Sequence, residues 1–295
     1  MRRSLLTSLL WLMACLPGDD RPPPGSLYVD AEPSAATHAG LTTEDGWQLR
    51  FDRFVIALGD IRLHELEGVE GQCNDYSETR YEWLYDFAVA GREKVGLAHG
   101  LGRCSIEYSH RTPSSDSVLG TGASQADLDR MILTASDAYA ESERVSTWVV
   151  GSASRHGVEK RFDWSFRRRY ELDECPNLEG DGFVSYVTFE AEREATLTLR
   201  VAAEELFRDA VGDEGAFVFG PLADADVDGD GAITFEELDA APVDAVVGPW
   251  DEPSPATRDR GAPVTLLERI YVWLLPRVTR VAGGAACNAE LERWR

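Results

Sequence analysis

Lysine is nearly missing from this chain. Among 29 basic residues only Lys94 and Lys160 are lysines, so arginine carries almost all the positive charge. Methionine is equally scarce. Two of the three stand at positions 1 and 13, and Met131 is the only other, which excludes a methionine-rich groove of the kind that calcium sensors open. Nothing in the 295 residues approaches the ~18 consecutive apolar positions that a membrane-crossing helix needs. No GxSxG motif and no glycine-rich phosphate loop is present, and Gly120-Thr121-Gly122 is a lone GxG with no βαβ pattern around it. CxxC pairs are absent, which argues against a four-thiolate metal site. The five histidines, His38, His64, His99, His110 and His156, show no HxxxH spacing. Acid outweighs base by 52 to 29, a net charge of −23 that repels phosphate backbones and speaks against nucleic-acid binding. Hydrophobic residues make up 43%, too many for an intrinsically disordered chain.

What is present begins with an export signal. Arg2 and Arg3 precede a short apolar run, followed by Leu12-Met13-Ala14-Cys15. That ending resembles a bacterial lipobox, which implies cleavage after residue 14 and lipidation of Cys15 as the new N-terminus. Leu16 after the cysteine implies, by the same resemblance, sorting to the outer membrane. Residues 16–25 hold four prolines without apolar periodicity and read as a tether, so 15–25 is expected to hold the domain off a membrane surface. Four cysteines then remain: Cys73, Cys104, Cys175 and Cys287. An even number in an exported chain predicts two disulfides, for which three connectivities exist. Chain proximity and the value of tying down the C-terminus favour Cys73–Cys104 and Cys175–Cys287.

The middle of the chain reads as β. Trp47, Leu49 and Phe51 alternate with polar residues, residues 54–58 form a continuous apolar run, and Ile61 and Leu63 resume the alternation. Residues 94–101 and 105–108 read as two further short strands. Residues 147–150 and 162–166 predict a hairpin around His156-Gly157, and 183–189 with 195–201 a second one. Ser124 with Asp127 marks a helix start running to about Leu133; 202–210 and the apolar 266–275 are further helix candidates. Arg167-Arg168-Arg169 reads as a solvated face. Trp47, Phe51, Phe54, Trp148, Phe162, Trp164 and Phe166 are expected in the core, with sugar-binding platforms as the alternative. The expected fold is mainly β: one antiparallel, β-sandwich-like domain over 26–295, with few short helices and one EF-hand-like segment at 219–241.

That segment carries the strongest chemical signal. Residues 226–237 read DVDGDGAITFEE. Counted from Asp226, Asp228 falls at position 3, Asp230 at 5, Gly231 at 6, Ile233 at 8 and Glu237 at 12, the complete EF-hand loop pattern. A start at Asp224 fails, because Phe235 would then stand at position 12. Calcium takes six to eight oxygens at ~2.3–2.6 Å. Three aspartates two residues apart converge as the chain curls, Gly231 allows the sharp turn, the Ala232 carbonyl adds an oxygen, Thr234 acts through water, and Glu237 closes the shell with two oxygens. The bidentate glutamate suits calcium better than magnesium. There is no second loop, Gly220-Pro221 keeps the incoming helix short and Pro242 stops the outgoing one, so the ion is expected to be structural or weakly buffering.

Several segments, among them Asp45-Gly46-Trp47, Phe51-Asp52-Arg53-Phe54, 95–104, 114–122, 164–169, 221–238 and 271–287, resemble uncharacterised exported lipoproteins of myxobacterial type. The resemblance spans most of the mature chain and implies an exported calcium-binding lipoprotein, with no activity to carry over. A fainter one, over Phe54 to Leu63, is to periplasmic copper-binding proteins associated with methanobactin systems; the lack of methionine clusters argues against copper(I) handling. The expected function is a non-enzymatic calcium-binding envelope lipoprotein that meets a membrane through its lipid and an envelope partner of unknown kind. A periplasmic copper or zinc protein using the histidines, or a carbohydrate-binding or enzymatic module with a structural calcium, stays open beside it.

Overall fold

The computed structural model describes residues 22–65, 73–135, 144–173, 175, 179–180, 185–210, 215–243, 264–283 and 287–291. The lipobox with Cys15, most of the tether and residues 253–263 lie outside them.

Sixteen strands follow one another along the described chain. They are β1 (Gly25–Pro33), β2 (Leu41–Thr42), β3 (Gln48–His64), β4 (Asn74–Glu78), β5 (Glu82–Asp86), β6 (Glu93–His110), β7 (Val118–Leu119) and β8 (Thr147–Arg155). After them come β9 (Val158–Phe166), β10 (Tyr170–Asp173), β11 (Glu179–Gly180), β12 (Ser185–Phe189), β13 (Glu194–Val201), β14 (Ala232–Ile233), β15 (Thr279–Val281) and β16 (Asn288–Leu291). The helices are short: α1 (Ala35–Ala39), α2 (Gln125–Ile132), α3 (Gly220–Ala225), α4 (Phe235–Ala240) and α5 (Leu266–Arg269). The main path of the sheet runs β14-β9-β8-β3-β6-β1-β13-β15. Most neighbours are antiparallel, but β1 with β13, β5 with β7 and β9 with β14 run parallel, so the sheet is mixed.

Two long strands let this sheet curl. The first part of β6 pairs with β1, from Glu93 to Gly100, while its last part pairs with β3, from Ser105 to His110. In the same way β3 meets β8 through its first half and β6 through its second. A register shift after Gly59 bends β3, and there Asp60 adopts φ +52°. This left-handed geometry is uncommon for a residue with a side chain. The Asp60 carboxylate is held by Arg62 at 2.5 Å and Arg111 at 2.9 Å.

The apolar run at 54–58 is explained by what covers it. Phe54, Ile56 and Leu58 enter the main core, while Val55 and Ala57 face the other way into a smaller cluster with Leu84, Leu128, Met131 and Val145. A strand covered on both faces loses its polar alternation. Helix α2 supplies that second cover and begins at the expected place. Ser124 accepts from the Asp127 amide and the Asp127 carboxylate accepts from the Ser124 amide, a complete capping box. The main core is aromatic: Phe162, Trp164, Phe166, Phe207 and Phe219 pack with ring centroids 4.7 to 6.3 Å apart.

Disulfides join Cys73 to Cys104 and Cys175 to Cys287, across 31 and 112 residues of chain. Such bonds persist in oxidising, non-cytoplasmic compartments. No helix of the described residues is long and apolar enough to cross a membrane.

Four expectations need correction. The hairpin around His156-Gly157 forms as β8 and β9, but β12 and β13 do not pair with each other. β12 lies against β6, and β13 lies between β1 and β15. The two short strands expected at 94–101 and 105–108 are the single strand β6. At 202–210 the chain forms only one 3₁₀ turn, Ala203–Phe207, whereas the helix expected at 266–275 does form, α-helical to Arg269 and π-helical over Ile270–Leu274. Arg168 is not on a solvated face. It is buried between β9 and β10, with its guanidinium 5.7 Å from the centre of the Tyr170 ring.

Candidate metal centre

The segment after residue 219 is shaped by its anchors. Asp45, in the turn before β3, accepts hydrogen bonds from the amides of Phe219 at 3.1 Å and Gly220 at 2.5 Å. These are the amide donors that open α3 and have no partner within the helix. Burial opposes ionisation of Asp45, but those amides and the Thr43 hydroxyl outweigh it and hold its carboxyl below the ordinary range. Leu222 and Ala225 bury the inner face of α3 in the core, and the chain then leaves the helix at Asp226.

From Asp226 the chain curls tightly. Gly229 and Gly231 adopt φ +75° and +83°, where a side chain is strained. Asp226 fixes the curl from inside: Oδ1 accepts from the Gly229 amide at 2.8 Å and Oδ2 from the Gly231 amide at 2.9 Å. Asp228 Oδ1 accepts from the Asp230 amide at 3.0 Å, and Asp230 Oδ1 from the Ala232 amide at 2.6 Å.

The loop then joins the sheet. β14 lies parallel to β9, with Ala232 opposite Arg161 and Ile233 opposite Phe162. The Arg161 amide donates to the Gly231 carbonyl at 2.8 Å, and the Trp164 indole N–H donates to the Ile233 carbonyl at 2.8 Å. Ile233, at loop position 8, is buried. The edge of the sheet thus supports the single loop through main-chain pairing. Thr234 caps α4, its hydroxyl accepting from the Glu237 amide at 3.2 Å, while Glu237 Oε2 accepts from the Thr234 amide at 2.9 Å.

Asp226, Asp228 and Glu237 converge. One carboxylate oxygen from each lies within 4.8 Å of the others, the one such group of His, Cys, Asp and Glu among the described residues. Asp226 is buried, Glu237 half-buried and Asp228 exposed. Asp230 lies outside this group of three. Positions 1, 3 and 12 of the motif are therefore brought together, and the glycine at position 6 has the left-handed backbone that its place requires. Three hard oxygen donors from one short loop suit a hard divalent cation.

One contact was not foreseen. The Lys160 ammonium, on β9, is hydrogen-bonded to Asp226 Oδ2. This contact, with the Gly229 and Gly231 amides behind it, outweighs burial and holds the Asp226 carboxyl below its ordinary range. The sequence held a signal for it in the rarity of lysine, but nothing local links positions 160 and 226.

The histidines do not assemble. His38, His64 and His156 are exposed, and His99 shares a hydrogen bond with Ser26 at 3.0 Å. His110 is fully buried with Nε2 2.5 Å from the Thr279 hydroxyl, and burial alone pushes its pKa down to about 3. Of the seven aromatic residues weighed as core or platform, six are buried. Trp148 is half-buried, with Arg130 stacked 4.2 Å from its ring centre. Comparison with protein-family models, curated proteins and solved structures finds no match.

Proposed function

We propose that this chain is a non-enzymatic calcium-binding lipoprotein of the bacterial envelope, exported by the signal at 1–14, anchored through Cys15, and stabilised by one calcium ion in the loop 226–237. The convergence of Asp226, Asp228 and Glu237 around a turn with glycine at position 6 carries the reading. The ligands are Asp226, Asp228, Asp230, the Ala232 carbonyl, Thr234 through water, and Glu237. The role is structural because the flanking helices, α3 and α4, have six residues each and β14 is fastened to the sheet, so the loop has no long lever to swing. The paired disulfides fit an envelope location. The resemblance to uncharacterised myxobacterial-type lipoproteins agrees with this reading.

Thermal unfolding of the full chain in excess EGTA and in millimolar calcium tests it. At a calcium concentration tenfold above Kd the folded state gains about 1.4 kcal/mol, and the midpoint rises accordingly. The double variant Asp226→Ala, Glu237→Gln loses that rise. No calcium effect, or an effect that survives the double variant, overturns the reading.

A further inference from the structure

We propose that Lys160 is the resident cation of the acidic loop, and that calcium expels its ammonium from Asp226 on binding. The inference rests on the calcium reading above and names the group that sets the affinity of that site. Its basis is a contrast in how this protein neutralises acids. Asp86 and Asp127 are bridged by Arg53, Asp60 is held by Arg62 and Arg111, and Glu205 by Arg208 and Arg280. Asp226, whose side chain is fully buried, is instead met by a lysine, one of two in the chain.

The chemistry of that choice matters. A guanidinium grips carboxylates through a planar fork, whereas an ammonium is a compact, strongly hydrated point charge on a flexible stem. It resembles a metal ion in its demands, and water readily takes it back. Lys160 keeps 14% of its side chain exposed, so its path to solvent is short. The curl of the loop does not depend on it alone, because the Gly229 and Gly231 amides hold both oxygens of Asp226. A divalent ion ligated by Asp226 would stand within a few ångströms of the ammonium, and like charges so close in a partly desolvated site repel strongly. The ion would draw on several of the loop's oxygens and the ammonium on one, so the ammonium is the partner that this repulsion displaces. Without calcium, Lys160 offsets the mutual repulsion of the loop's carboxylates and keeps it folded. In the presence of calcium the same interaction works against binding, which lowers affinity towards the 10⁻⁴–10⁻³ M range of extracellular modules.

The scarcity of lysine supplies the experiment. The full chain is treated with an amine-acetylating reagent in EGTA and in millimolar calcium, and modification of Lys160 and Lys94 is read by mass spectrometry. Lys94 is exposed beside the Tyr28 ring, far from the loop in sequence, and serves as the internal standard. Calcium binding to the same sample is followed by calorimetry. The expected result is that calcium raises Lys160 modification several-fold relative to Lys94. Calorimetric binding with Lys160 modification unchanged or slowed overturns the inference and leaves the calcium reading standing. No calorimetric binding overturns both. The variant Lys160→Met gives a second, independent readout: it should bind calcium about tenfold more tightly, and affinity equal to or below that of the parent chain overturns the inference.

Discussion

Two acidic sites in this molecule differ in what faces them. On the α2 side of β3, Asp86 and Asp127 are both buried, and one arginine bridges them, with Arg53 Nε 2.9 Å from Asp86 and Nη2 2.6 Å from Asp127. At the sheet edge Asp226, Asp228 and Glu237 converge around a loop whose cation is Lys160. The first site is closed: its cation belongs to the fold, and Asp86 also accepts from the amides of Phe54 and Ala88. The second has more acid than its lysine can match. Acidic residues alone therefore do not identify an ion site in a chain with a net charge of −23; the cation that the fold supplies opposite them is what separates the two.

The largest effect is expected at the closed site. Arg53→Met leaves two buried carboxylates without their cation, and breaking such a pair typically costs 3–5 kcal/mol. Arg53 is 31% exposed, so water takes over part of its role and the expected loss is near the low end, about 3 kcal/mol. Denaturant unfolding in EGTA and in calcium should show the same loss in both. Rescue by calcium would mean that the two sites are coupled, and the contrast drawn above would fail.

The open site should behave in the opposite manner. Glu237→Gln keeps a side-chain oxygen for the Thr234 amide and hydroxyl, so the cap on α4 survives. In EGTA its stability should stay within ~0.5 kcal/mol of the parent, as for an ordinary surface change. In calcium at tenfold Kd it should lack the increment of about 1.4 kcal/mol. A variant equally destabilised in both conditions would make Glu237 a capping residue and nothing more.

How far such features can be read in advance depends on how local they are. The loop register, the capping box at Ser124 and the hairpin at His156-Gly157 are written within a dozen residues or so, where spacing and turn chemistry decide. The β1–β13 pairing joins residues more than a hundred positions apart, and nothing in 195–201 indicates a parallel partner at the N-terminus. The expected break between 94–101 and 105–108 does not occur, because β1 and β4 pair with β6 up to residue 101 and β12 pairs with it over 102–104. Arg168 read as solvated because charge runs usually are; in the structure it is buried, with the Tyr170 ring beside its guanidinium. Lys160 is the plainest case. Rarity marked it, but only the third dimension shows which acid it meets.

The smallest effect should come from a site intermediate between those two. Glu107 accepts from Arg62 Nη1 at 3.2 Å and meets His64 Nε2 at 3.0 Å, so one of its cations is permanent and the other titrates. The hydrogen bond to Glu107 raises the His64 pKa; burial and the Arg62 charge oppose the rise, and the charges of Glu107 and Glu78 reinforce it. Protonated His64 is thus favoured in the folded state. Its contribution is fully present below the unfolded-state value of about 6.5 and is lost as pH rises through the higher folded value. With 48% of the His64 side chain exposed, solvent screens the pair, and its worth is at most about 1 kcal/mol. His64→Gln should therefore lower stability by a few tenths of a kcal/mol at about pH 5.5 and be silent at about pH 8.5. A gap that widens with rising pH would show that neutral His64, and not its charge, is what the fold uses; Arg62 would then be the only effective cation on Glu107, and this site would join the arginine-closed class.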